Sequence, residues 1–177
     1  MALWTGLWMG CGPRNKPITT APLGPGESVP KDMHGMVVDT EDRNHDGKPD
    51  KWTECSLAGG LKRCEKLDLD YDGKVDVLRE YDDQGNLALE RRDLDYDGRI
   101  DDERIFKAGV LVEEHVGFGF DGKFHRTVFY ENGKKVREEI DTNQDGKIDE
   151  WRYFENDKLV RIGTDLDHDG IPETFRR

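Results

Sequence analysis

The chain has few apolar residues and no long run of them. Hydrophobic residues make up 34% of the 177 positions, against 37% charged, so a core of apolar side chains alone would be thin. No stretch reaches the roughly 18–20 apolar residues of a membrane-spanning helix, and the body of the chain is expected to be soluble. Basic residues are in deficit: 27 Lys and Arg face 39 Asp and Glu, for a formal net charge of −12. Such a field repels phosphates, which argues against nucleic-acid and anionic-membrane partners and favours cations or basic partners. Nucleophile motifs, phosphate-binding loops and zinc spacings are missing, and the five histidines are scattered. His45 and His168 read as surface residues. An acidic, weakly hydrophobic composition can mean disorder, but here the charges are patterned.

The pattern is a repeat. Asp-Gly pairs stand at Asp46-Gly47, Asp72-Gly73, Asp97-Gly98, Asp121-Gly122, Asp145-Gly146 and Asp169-Gly170, with successive glycines 24 to 26 residues apart. Aligned on the glycine, five copies carry oxygen ligands at loop positions 1, 3, 5 and 9. They are Asp42, Asn44, Asp46 and Asp50; Asp68, Asp70, Asp72 and Asp76; Asp93, Asp95, Asp97 and Asp101; Asp141, Asn143, Asp145 and Asp149; and Asp165, Asp167, Asp169 and Glu173. The fourth copy has Gly117, Gly119 and His125 where the others have ligands and keeps only Asp121, so it is expected not to bind metal.

This spacing fits calcium, which takes roughly six to eight hard oxygens at about 2.3–2.6 Å. The glycine at position 6 permits the sharp turn that brings the carboxylates together. The backbone carbonyl at position 7 (Lys48, Lys74, Arg99, Lys147 or Ile171) is a further candidate ligand. The five loops hold eighteen carboxylates, whose mutual repulsion a cation would relieve. Five Ca²⁺ ions would bring the formal charge from −12 to about −2. An Asp-Gly turn without metal is the alternative for any single loop.

The pattern D-x-[DN]-x-D-G-x-x-[DE] resembles the EF-hand loop at its start and departs from it later. Position 12 is Thr53, Arg79, Arg104, Arg152 or Arg176 rather than a bidentate Glu, and the acid sits at position 9. That form is similar to the strand-connecting calcium loops of integrin α-chain propellers. Thrombospondin type 3 and dockerin repeats share the opening D-x-D-x-D-G. The resemblance covers the nine-residue loops alone and implies calcium held between β-strands.

Between the loops the chain reads as strand pairs. Asn132-Gly133 is a strong hairpin signal, and Gln84-Gly85-Asn86 and Ala108-Gly109 occupy the same place. An aromatic falls eight residues after each of four loop glycines, at Tyr81, Phe106, Tyr130 and Phe154, with Cys55 at that place in the first unit. The expected fold is all-β: tandem hairpin repeats of about 24 residues forming an antiparallel meander or solenoid-like sheet of roughly eleven strands, joined by calcium loops. Both faces of the strands mix apolar and charged residues, so the pattern does not choose a buried face. The segment Tyr81–Leu87 resembles the YD repeats of Rhs-type proteins, and the hairpins resemble MORN-variant repeats.

The N-terminus reads as export. Residues 1–10 are apolar and small, and Met9-Gly10-Cys11 resembles the lipobox of bacterial lipoproteins, although Trp8 stands where the family usually has Leu and no basic residue precedes the apolar run. The resemblance implies that Cys11 is lipidated and anchors the chain to a membrane. Residues 11–38 carry Pro13, Pro17, Pro22, Pro25 and Pro30 and read as an extended linker; the repeat domain occupies 39–177. In an exported protein Cys55 and Cys64, which flank the first hairpin turn, are placed for a disulfide; two unpaired thiols in a reducing compartment are the alternative. The sequence therefore points to a non-enzymatic, extracytoplasmic calcium-binding protein, a surface or periplasmic lipoprotein acting as scaffold or adhesin. A calcium-dependent protein- or glycan-binding module and a component of an Rhs-like delivery system are the alternatives.

Overall fold

A computed structural model of the chain describes residues 36–56, 61–117, 121–167 and 169–176. The proposed signal segment, Cys11 and most of the linker lie outside the described residues. Twelve strands follow one another: β1 (Met36–Glu41), β2 (Lys51–Ser56), β3 (Lys62–Leu67), β4 (Val77–Tyr81), β5 (Leu87–Arg92), β6 (Asp102–Lys107), β7 (Val110–Val116), β8 (Arg126–Glu131), β9 (Lys134–Ile140), β10 (Glu150–Glu155), β11 (Lys158–Thr164) and β12 (Thr174–Arg176). They form one antiparallel sheet in chain order, β1 to β12. The all-β meander expected from the repeat is the fold. The strand count is twelve rather than eleven, because the three residues after the sixth loop add β12.

Each strand touches its sheet neighbours and no other described strand. Among the described residues no second layer packs on the sheet, yet burial is largely one-sided: the register puts the buried residues Glu65, Leu67, Val77, Glu90, Asp102, Val128, Glu138 and Ile140 on one face. Among the described residues six apolar side chains are buried, namely Trp52, Cys64, Leu67, Val77, Val128 and Ile140, against twelve polar or charged ones. An apolar core does not hold this sheet.

Cross-strand pairs take that role. Directly paired residues share a face, and the register aligns Glu65, Arg79, Glu90, Arg104 and Glu114 across five consecutive strands. Their charges alternate. Arg79 reaches Glu65 at 3.1 Å and Glu90 at 2.6 Å, and Arg104 reaches Glu114 at 2.9 Å. Beyond the break at Val128, Arg152 faces Glu138 at 3.6 Å. Tyr130 Oη donates to Glu114 at 2.9 Å. On the opposite face Arg137 stacks on Phe129 and Arg161 on Tyr153, both 4.2 Å from the ring centroid.

The hairpins follow the turn chemistry. Ala108-Gly109, Asn132-Gly133 and Asn156-Asp157 have positive φ at both central residues, the type I′ geometry whose twist matches the flanking strands. The longer turn at 82–86 is tied by Asp82, whose carboxylate accepts the N–H groups of Gln84 and Asn86 at 2.9 and 2.8 Å. Every hairpin carries a bulge at one repeating place, after Glu54, Glu80, Ile105, Phe129 and Tyr153. The residue that follows is Cys55 or one of the aromatics spaced eight from the loop glycine, so that spacing marks the bulge. A bulge sharpens local twist and bends the strand.

Cys64 is a buried free thiol. The register sets it opposite Glu54, and Cys55 opposite Lys62; the side chain of Cys55 lies outside the described residues.

Candidate metal loops

The six loops line one edge of the sheet and the hairpin turns the other. Each loop is closed at its neck by a backbone bond from the position-9 N–H to the C=O of the residue before position 1. The closing pairs are Asp50 to Glu41, Asp76 to Leu67, Asp101 to Arg92, His125 to Val116, Asp149 to Ile140 and Glu173 to Thr164, at 2.8–3.1 Å. A second backbone bond joins neighbouring loops. The position-1 N–H of one loop donates to the position-9 C=O of the loop before it: Asp68 to Asp50, Asp93 to Asp76, Gly117 to Asp101, Asp141 to His125 and Asp165 to Asp149.

Inside the loop the carboxylates fold the backbone around themselves. In the second loop Asp68 accepts Tyr71 N–H at 2.7 Å and Gly73 N–H at 2.9 Å, Asp70 accepts Asp72 N–H, Asp72 accepts Lys74 N–H, and Asp76 accepts Leu69 N–H at 2.5 Å. Gly73 turns at φ +90°, open space that an L side chain enters only with strain. The position-1 and position-9 acids are mostly buried, as at Asp50, Asp68, Asp76, Asp93, Asp141, Asp149 and Asp165, while positions 3 and 5 are exposed. Burial pushes the carboxyls of Asp68, Asp76 and Asp93 up, and the crowding of neighbouring carboxylates adds to it against the backbone N–H bonds that pull down. Asp72 goes the other way because Lys74 hydrogen-bonds it.

Four loops bring carboxylate oxygens within 4.8 Å of one another: Asp42, Asp46 and Asp50; Asp68, Asp70 and Asp76; Asp93, Asp95 and Asp101; and Asp165, Asp167, Asp169 and Glu173. Asp72 and Asp97 stand outside these groups and face Lys74 and Arg99. In the first loop Asn44 turns its side-chain oxygen to the N–H of Asp46. In the fifth loop Asn143 points its amide NH₂ at Asp145 and Asp149, between the acids expected to converge with Asp141. The position-7 residues Lys48, Lys74, Arg99, Lys147 and Ile171 donate their N–H to the position-5 carboxylate at 2.8–2.9 Å.

The fourth copy keeps the frame with other contents. His125 is 2% exposed at position 9 and sets Nε2 3.3 Å from Asp121 Oδ2. Asp121 is held below the usual carboxylate range, chiefly by the Lys123 N–H and further by His125. A Cβ at Gly117 would stand 2.9 Å from the Lys123 carbonyl oxygen, so no aspartate fits there without a shift of the backbone. Sequence reasoning marked this copy as lapsed; that its histidine sits deep in the loop was not legible, since a lone His on a turn gives no burial signal.

No family model matches the sequence, and no curated protein does. Among solved structures, the accessory secretory protein 1, 2 and 3 structure of Streptococcus pneumoniae is similar over 66% of this chain and 21% of that one, at 11% identity and a TM-score of 0.41. A mutant of S. aureus TarM bound to fondaparinux, alpha-GlcNAc-glycerol and UDP covers 71% of this chain and 21% of its own, at 10% identity and 0.35. A GtfA/B complex bound to UDP and GlcNAc covers 77% and 25%, at 12% identity and 0.28. The chain spans about a fifth to a quarter of the length of these structures.

Proposed function

We propose that the chain is a non-enzymatic calcium-binding repeat protein in which the metal is structural. The observation that carries this reading is the recurrence of one oxygen-rich loop, in register, on a sheet that lacks an apolar core. Buried, crowded carboxylates cost the metal-free fold stability, and a divalent cation at each full loop would turn that cost into binding energy coupled to folding. Calcium suits the donor set because all candidate ligands are hard oxygens and calcium accepts a variable number of them in flexible geometry. The full loops are the five with acids at positions 1, 5 and 9.

Placement outside the cytoplasm, as a bacterial envelope lipoprotein tethered through Cys11, belongs to the same reading and rests on the lipobox-like N-terminus and the Pro-rich linker. A disulfide between Cys55 and Cys64 would suit that compartment. The role is that of a scaffold, spacer or adhesin.

Native mass spectrometry and calorimetry test the calcium reading. About five ions should bind, and removal by EGTA should lower the melting temperature and the β signal in circular dichroism. Fewer than two ions would sink it. Incorporation of labelled palmitate that disappears in Cys11→Ala tests the anchor.

A second reading, a calcium-dependent protein- or glycan-binding module, draws support from Phe129 and Tyr153 on the face opposite the charge ladder, each backed by an arginine. A calcium-dependent binding partner would favour it over a passive spacer.

A further inference from the structure

Successive loops are joined through the very residues that would hold the metal. Asp50 closes the first loop at position 9, and its backbone C=O accepts the N–H of Asp68, which opens the second loop at position 1. Asp76 and Asp93 join the second loop to the third in the same way, and both bonds measure 2.8 Å. All four aspartates are buried. Each of these junctions therefore belongs to two loops at once.

The second and third loops also meet through a side chain. Lys74 reaches across, so that a Cβ at Gly98 would stand 3.7 Å from its Cδ. A hydrogen bond to Asp72 holds the Lys74 ammonium above its usual range, and Asp93 of the third loop adds to it. The first three loops each gather carboxylate oxygens. The fourth copy keeps both junction bonds, from Gly117 N–H to Asp101 C=O and from Asp141 N–H to His125 C=O. Its position 1 has no side-chain ligand, however, and its position 9 is a histidine set against Asp121. A cation in the third or fifth loop finds no carboxylate set there to order.

We infer that calcium fills the first three loops as one cooperative block, which the fourth copy separates from the loops beyond it. The inference rests on the calcium reading and adds how those sites regulate one another. Once Asp50 is held as a ligand, the peptide that accepts from Asp68 is fixed, and part of the ordering that the second loop needs is already done. Ordering of a shared element couples two sites without any change of shape. Charge acts the other way, because a filled loop is less negative and attracts the next cation less. The loops stand roughly 10 Å apart, twice the strand spacing. That is about one Debye length at physiological salt, so screening weakens the charge effect and ordering prevails.

A calcium titration of the isotope-labelled full chain, followed by NMR, tests this loop by loop. The reporters are the position-6 glycine amides, each bonded to the position-1 acid of its own loop: Gly47 to Asp42, Gly73 to Asp68, Gly98 to Asp93 and Gly170 to Asp165. In the wild type Gly47, Gly73 and Gly98 should respond at one shared midpoint, more steeply than independent sites allow. Removing the second site with Asp70→Ala and Asp72→Ala together, both exposed positions, should raise the Gly47 and Gly98 midpoints roughly fivefold or more. The Gly170 midpoint should stay where it was, and circular dichroism in EGTA should match wild type. Shallow, unrelated midpoints in the wild type, unmoved Gly47 and Gly98 midpoints in the variant, or a Gly170 midpoint that rises with theirs overturns the inference while leaving the calcium reading intact. Glycine signals that ignore calcium altogether overturn both.

Discussion

Asp76→Asn separates a calcium ligand from a carboxylate that merely shapes a turn. Asp76 is 2% exposed and accepts the N–H of Leu69. The amide keeps an oxygen for that bond and removes one negative charge from a site shared with Asp68 and Asp70. Burial, and then the charges of Asp70 and Asp72, already push Asp76 up, so the metal-free fold gives up little when the charge goes. In EGTA the variant should lie within about 1 kcal/mol of wild type, on the stable side. In calcium at a hundredfold over the dissociation constant, one lost site removes about 2.7 kcal/mol. For a domain of this size that lowers the melting temperature by roughly 5–15 °C. Thermal melts of both proteins in calcium and in EGTA, with the ion count from native mass spectrometry, give the answer. Equal destabilisation in both buffers, or an unchanged ion count, would refute the reasoning and leave Asp76 as a turn-shaping residue.

Three further outcomes rest on other parts of the sheet. Burial pushes Glu65 up, but hydrogen bonds from Lys62 and Arg79 outweigh it and hold Glu65 below the usual range. Its contribution is therefore present above the unfolded pKa and is lost as pH falls through the folded one. Urea titrations should show Glu65→Gln less stable than wild type at neutral pH, with the gap closing in acid; a gap independent of pH contradicts this. Tyr130 is pushed up to about 12 by burial and by its bond to Glu114. The unfolded phenol ionises first, so stability should fall as pH rises from about 10 towards 12. Tyr130→Phe should flatten that alkaline fall, and an unchanged slope tells against the assignment. Gly117→Asp should not rebuild a fourth site, because its Cβ meets the Lys123 carbonyl. Overpacking should cost about 1–3 kcal/mol in chemical denaturation, and a gain of one bound calcium would show the steric argument to be wrong.

The sequence carried the loops and the hairpins because both are local. An Asp-Gly pair with acids at fixed offsets, or an Asn-Gly between alternating residues, can be read within nine or ten positions. Strand β12 escaped because Thr174–Arg176 is too short to show alternation. The ladder of Glu65, Arg79, Glu90, Arg104 and Glu114 escaped for a different reason. Its members are 10 to 14 residues apart and become neighbours only through the register that the bulges set. Along any one strand the same residues look like a mixture of polar and apolar positions. The buried face could not be read from polarity because charged residues such as Glu65, Glu90, Asp102 and Glu138 lie on it.

The single layer of strands also governs how the molecule comes apart. Among the described residues each strand is held only by the strands before and after it, so a force applied at the two ends of the sheet would meet the units one after another rather than all at once. Each full loop ties a unit to the next through a closed ring of backbone bonds and acids, whereas the fourth is tied around a histidine. Under tension the sheet would behave as a row of separate catches, extending in steps of one repeat, and a unit that opened would leave the catches on either side still fastened.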